Sequence, residues 1–181
     1  QAKKVARKGD PDAIVDLRIA ALIAAGEALE EADLERSHWL AKACERSGMR
    51  YLFLSSDRVY GGASTRALRE SEGPDALDTL GQQLADIEER IETASPSALI
   101  LRTGPVFADF QANLLTRVLN AMGRDRAATF DDQDVFCPVA ALDAARVLAA
   151  ILDQLSVGAP ASGIYHYCSG DRTTAYGFGE A

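Results

Sequence analysis

Residues 51–62, Tyr51-Leu52-Phe53-Leu54-Ser55-Ser56-Asp57-Arg58-Val59-Tyr60-Gly61-Gly62, decide how the rest of the chain reads. Four mostly apolar residues without alternation, closed by small polar ones, predict a strand buried on both faces. In a parallel sheet such a strand ends at the edge where ligands bind, which puts Ser55, Ser56 and Asp57 where chemistry is expected. The same three residues equally suit a plain strand cap and turn.

Working outward, Asp10-Pro11-Asp12 leads into Ala13-Ile14-Val15-Asp16-Leu17, a second predicted buried strand. Between the two, Ala28, Leu29, Ala32, Leu34, Trp39, Leu40, Ala43 and Cys44 recur near helical spacing and predict a helix over about 26–47, stopped by Ser47-Gly48. Trp39 reads as core. On the other side, the stretch through Thr65, Arg66 and Glu70 to Gly73-Pro74 has no periodicity and reads as a lid or as plain surface, with Tyr60 beneath it. Leu77, Leu80, Leu84, Ile87 and Ile91 predict a helix over 75–93. Ala98-Leu99-Ile100-Leu101 reads as a third buried strand that ends at Arg102-Thr103-Gly104-Pro105. Helices over about 111–122 and 140–155 flank the acidic loop Asp131-Asp132-Gln133-Asp134, and 163–168 alternates like a strand. Thr173 and Thr174 offer N-caps to a last helix. Strands alternating with helices at this spacing predict an α/β fold with a parallel sheet of βα units.

Composition narrows the partners. A net charge of −8 argues against nucleic acid and against an anionic membrane. No apolar stretch approaches the ~18 residues of a membrane span and no signal-peptide pattern opens the sequence, and the three scattered cysteines suggest a cytoplasmic protein. Cys44, Cys137 and Cys168, odd in number and far apart, predict reduced thiols, with Cys44 and Cys168 in the core. The basic start, with Lys3 and Lys4, has no assigned role. No Gly-x-Gly-x-x-Gly turn and no G-x-x-x-x-G-K-[ST] loop is present, so no recognised phosphate cradle is legible and cofactor-binding residues are unknown. His38 and His166 lack partners at ligand spacing and read as structural. Asp131, Asp132 and Asp134 suit a hard cation or a solvated loop, and the solvated loop is preferred, so no metal site is expected.

Several stretches, in order and at matching spacing, resemble one family. They are Pro11 to Asp16, Leu40 to Cys44, Phe53 to Tyr60, Glu70-Ser71-Glu72, Leu99 to Thr103 with Val106-Phe107, Asn113-Leu114, Asp132-Gln133 with Pro138, and Gly163-Ile164-Tyr165-His166. Together they resemble the extended short-chain dehydrogenase/reductase superfamily, in its dTDP-4-dehydrorhamnose reductase-like, sugar-nucleotide-binding branch. The resemblance implies a Rossmann-like parallel sheet flanked by helices. Residues 1–181 would form one domain lacking the first βαβ portion, with substrate-side segments at about 104–138 and 163–181. It places Ser56 at the family's catalytic Ser/Thr position and Ser55, Ser56, Asp57, Arg102, Thr103 and Asn113 on the substrate side. The guanidinium of Arg102 could meet a pyrophosphate or be salt-bridged to a nearby acid.

The chain also departs from that family. A Tyr-x-x-x-Lys pair on a helix supplies the family's general acid, the lysine lowering the phenol's pKa and holding the cofactor ribose. Here Leu80 and Leu84 fall at those positions, no tyrosine lies between Tyr60 and Tyr165, and no lysine follows Lys42. Leu17-Arg18-Ile19 replaces a run of small residues beside the cofactor. Two functions are carried forward. The first is a catalytically degenerate relative that binds a nucleotide-sugar-like ligand or a protein partner and has no defined cofactor. The second is an active NAD(P)-dependent sugar-nucleotide reductase or epimerase whose cofactor loop lies outside these residues, with NADP or NAD as cofactor and Tyr60 or Ser56 as proton donor. A homodimer through the helices around 28–45 and 76–92 is implied by the resemblance alone.

Overall fold

The computed structural model describes residues 11–62, 66–124 and 129–181. The basic start with Lys3, Lys4 and Asp10, and Thr65 of the 65–74 stretch, lie outside the described residues. The elements run β1 (Ala13–Asp16), α1 (Arg18–Ala25), α2 (Glu31–Ser47), β2 (Arg50–Ser56), a 3-10 turn (Asp57–Val59), α3 (Thr79–Ala94), β3 (Leu99–Thr103), β4 (Val106–Phe107), α4 (Leu114–Arg124), β5 (Val139–Ala140), α5 (Ala141–Ser156), β6 (Gly163–Tyr167) and α6 (Ala175–Glu180). Four strands form one sheet in the order β1-β2-β3-β6, every pair parallel. The short β4 and β5 pair in parallel as a second sheet.

Parallel strands joined by helices are covered on both faces, and the alternation of side chains along β2 and β3 sorts the core into two halves. Tyr51, Phe53 and Ile100 point to α2 and α3, where Leu34, Ala41, Cys44, Leu84, Ile87 and Ile91 meet them. Leu52, Leu54, Leu99 and Leu101 point the other way, to Leu148 and Leu155 of α5. The central strands are therefore buried along their length, as the unalternating sequence predicts. In β1 only Asp16 is buried, and the expected buried strand there is half-buried, because among the described strands only β2 pairs with it.

Other expectations change. The helix expected over 26–47 starts at Glu31; Gly26, in the left-handed conformation that glycine adopts without a Cβ penalty, ends the separate helix α1. That helix carries no polar N-cap, since Leu17 precedes it without a side-chain hydrogen bond, so it gives no start signal in the sequence. Trp39 is corrected from core to surface: it is 59% exposed, with the Lys42 ammonium 5.3 Å from its ring centroid. Leu77 precedes α3 and is exposed, because Asp78 caps the helix by accepting from Gly81 N at 2.8 Å. Cys44 is buried, but Cys168 is corrected from core to exposed, since β6 ends one residue before it. No helix among the described residues is long and apolar enough to cross a membrane.

Candidate functional site at the carboxyl edge of the sheet

Strand pairing brings the ends of β2, β3 and β6 side by side and sorts their polar residues into two rows. Ser55 pairs with Arg102, and Arg102 with His166; one residue on, Ser56 pairs with Thr103, and Thr103 with Tyr167. Because successive side chains in a strand point to opposite faces, the first row faces α3 and the second faces the α5 side.

The first row is closed. Glu88 of α3 and Arg102 are each 2% exposed and form an ion pair, with Arg102 Nη2 donating to Glu88 Oε2 at 2.6 Å and Nε reaching both carboxylate oxygens at 3.1 Å. Ser55 Oγ donates to Glu88 Oε1 at 2.5 Å. The remaining Arg102 nitrogen donates to the Tyr60 hydroxyl, which also lies 3.2 Å from His166 Nε2 and donates to Glu72 O at 3.3 Å. Burial holds the Tyr60 phenol above its ordinary pKa, against the pull of Arg102. Above Tyr60, the 66–76 stretch is fastened by the Arg66–Glu72 pair and by Glu70, whose carboxylate accepts from His166 N at 3.2 Å. A groove of about 520 Å³ opens on this face. Asp75, Glu88, Glu89 and Glu92 are among its lining and Arg102 is at its wall, so its field is unfavourable to a phosphate.

The second row is less committed. Ser56 Oγ donates to Asp57 Oδ1 at 3.0 Å and accepts from Arg58 N at 3.3 Å. Burial pushes the Asp57 carboxyl up to about 6, against the stabilising bond from Ser56 and the charge of Arg58. Thr103 is buried and donates to Ser55 O at 3.4 Å. Gly104 follows, and it admits no side chain: a Cβ there would overlap the Cys137 carbonyl oxygen and lie 3.6 Å from Asp57 Oδ2. The chain therefore brings Cys137 over this end of the sheet, and Asp57 and Cys137 face each other across a glycine.

Asn113 stands apart from both rows. It is 5% exposed, and its amide donates to Ala108 O, Phe110 O and Gln111 O while its oxygen accepts from Thr116 N, so it holds the turn into α4. Asp131 Oδ1 accepts from Gln133 N and Asp134 N, a local turn. Among the described residues no group of three or more His, Cys, Asp or Glu side chains is arranged to hold a metal ion. Leu84 is fully buried in the core and Leu80 is packed against it, so the helix positions at which the resemblance expects a tyrosine and a lysine are part of the apolar interior. Neither can hydrogen-bond a cofactor ribose. Of Leu17-Arg18-Ile19, Ile19 is core, and Arg18 is bound to Asp16 at 2.8 Å and to Ser37 at 3.2 Å.

Sequence reasoning missed Glu88, Gly104 and the approach of Cys137. Glu88 was readable in principle: it lies four residues after Leu84 and one after Ile87, on the buried stripe, where an unpaired charge is costly. The other two depend on which loop crosses the sheet end, and no local signal states that.

A parallel sheet with helices on both faces and polar residues gathered at its carboxyl edge defines a Rossmann-like fold. The chain belongs to the family described as RmlD substrate binding domain, which matches residues 2–181. A dTDP-4-dehydrorhamnose reductase from Aggregatibacter actinomycetemcomitans is 29% identical over 167 residues, covering 86% of this chain and 56% of that protein. Among solved structures, a dTDP-4-dehydrorhamnose reductase from Clostridium acetobutylicum superposes with a TM-score of 0.80 at 18% identity, covering 99% of this chain and 63% of that one. A variant of UDP-glucuronic acid 4-epimerase from Bacillus cereus, solved with a UDP-sugar analogue and NAD, gives 0.81 at 17% identity, covering 98% and 59%. The chain thus spans less than two thirds of the length of each of these relatives.

Proposed function

We propose that this protein is a catalytically degenerate, dTDP-4-dehydrorhamnose reductase-like binding protein whose carboxyl sheet edge takes a nucleotide-sugar-like ligand or a protein partner. One observation carries the reading: Leu84 is fully buried and Leu80 packs against the core where the family's proton donor and its lysine would stand. Leucine neither donates a proton nor binds a hydroxyl, and Tyr60, beside the sheet edge, has its hydroxyl engaged by Arg102, Glu72 and His166. Without a phenol of lowered pKa, reduction of a keto-sugar lacks its general acid.

The test is to offer dTDP and NADPH separately to the full-length protein, then together with a 4-keto dTDP-sugar. The expected result is a rise in thermal midpoint with dTDP and no NADPH consumption; at a hundredfold excess over Kd, such binding adds about 2.7 kcal/mol. Enzyme-dependent NADPH oxidation would overturn the reading.

A second reading, an active NAD(P)-dependent reductase or epimerase with its cofactor loop elsewhere, draws on the Ser56–Asp57 pair. A hydroxyl donating to a carboxyl held near 6 retains a titratable group at the sheet edge. Turnover lost in Ser56→Ala would favour this second reading.

A further inference from the structure

Cys137 and Cys168 are distant in the sequence and adjacent in the fold. Cys168 follows Tyr167, the β6 partner of Thr103, and so stands beside the level of Gly104. The Cys137 backbone crosses at the same level, its carbonyl oxygen against Gly104. Phe136 N and Thr173 N each donate to the other's carbonyl oxygen at 2.9 Å, which ties the residue before Cys137 to the segment after Cys168. These contacts bring Cys137 and Cys168 to the same end of the sheet. Cys168 is exposed, Cys137 half-buried and Cys44 buried.

We propose that Cys137 and Cys168 are an oxidisable dithiol that closes to a disulfide and fastens the Asp131–Cys137 loop to the end of β6, at the rim of the Ser56–Asp57 edge. The oxidant is a low-molecular-weight disulfide. The Cys168 thiolate attacks one of its sulfurs, breaking that S–S bond, releasing one thiol and leaving a mixed disulfide on Cys168. The Cys137 thiolate then attacks Cys168 Sγ and releases the second thiol. Two protein S–H bonds and one oxidant S–S bond are exchanged for one protein S–S bond and two oxidant S–H bonds, and two electrons pass to the oxidant.

The surroundings assign the order of attack. Burial, Cys168 and Asp57 hold the Cys137 thiol above its ordinary pKa, with Arg172 opposing them. The less accessible thiol suits the resolving role, and the exposed Cys168 the first attack. Cys44, pushed up to about 11 by burial, stays out of the exchange. The inference does not depend on which ligand occupies the sheet edge.

The experiment treats the folded full chain with glutathione disulfide, alkylates free thiols without reduction, and maps the peptides. Two of the three thiols are expected to be lost, with one crosslinked peptide pair carrying Cys137 and Cys168, while Cys44 is alkylated only after unfolding. Cys168→Ser, at an exposed position, is expected to keep the parent's circular dichroism and form no crosslink. Cys137→Ser is expected to stop at glutathione on Cys168. If all three thiols stay reduced, or if glutathione stays on Cys168 of the unsubstituted chain with Cys137 still free, the proposal is overturned.

Discussion

Ser55 and Ser56 are neighbours in the chain and belong to two different regions. On the α3 face, Ser55 joins Glu88, Arg102, Tyr60 and His166 in a network whose donors and acceptors are matched to one another. On the opposite face, Ser56 meets only Asp57 and its own turn, beside Gly104 and the two thiols. A buried charge must find its partner inside the protein, so the first region is committed to holding α3 on the sheet. The second keeps a carboxyl that burial pushes up to about 6, together with the thiols of Cys137 and Cys168. Among polar residues at a ligand-binding edge, those whose hydrogen bonds are already spent are scaffold, and those with capacity left are the candidates for function.

That contrast can be broken first at Arg102. Arg102→Ala leaves Glu88 charged, buried and without its partner, and should cost about 3–5 kcal/mol, read from the urea midpoint. Replacing Arg102 and Glu88 together by apolar residues of similar size should recover most of that loss. If the single change costs under about 1 kcal/mol, the surface range, the first region is not closed.

The second region is probed by pH. Asp57 holds its proton more tightly folded than unfolded, so its contribution to stability is complete below about pH 4 and is lost as pH rises towards 6. The difference between the parent and Asp57→Asn should therefore change by on the order of 2–3 kcal/mol across that window, the variant gaining relative stability at neutral pH. A flat difference would mean that the carboxyl is solvated. Gly104→Ala, which would drive a methyl group into the Cys137 carbonyl, should cost about 1–3 kcal/mol and lower the yield of the Cys137–Cys168 crosslink. An unchanged crosslink yield would separate the glycine from the thiol geometry. The smallest effect is expected at Asp78→Ala, which removes the N-cap of α3 and should cost about 1 kcal/mol while leaving the crosslink intact.

Much of this was legible in the residues. The unbroken apolar runs at 51–54 and 98–101 announced central strands because only a strand covered on both faces lacks alternation. Leu84, Ile87 and Ile91 announced the helix that covers one face, and Ser55, Ser56 and Asp57 announced the sheet edge. Trp39 misled because helical spacing shows that a residue lies on some face, not which face meets the sheet. Cys168 misled because β6 is an edge strand of the described sheet whose own residues are not fully buried, and Cys168 lies one residue past its end.

The sequence by itself determined the α/β class, the central strands, the family resemblance and the leucines at residues 80 and 84, where that resemblance expects a tyrosine and a lysine. Those follow from local patterns of polarity and from residue identity. Only the tertiary structure decided that Ser55 and Arg102 are spent on Glu88, that Gly104 admits the Cys137 backbone, and that two cysteines distant in sequence come to the same end of the sheet. Each of these depends on pairing register and on the path of a loop across the sheet end. With a side-chain period of two, a shift of one residue in register would have exchanged the roles of the two serines.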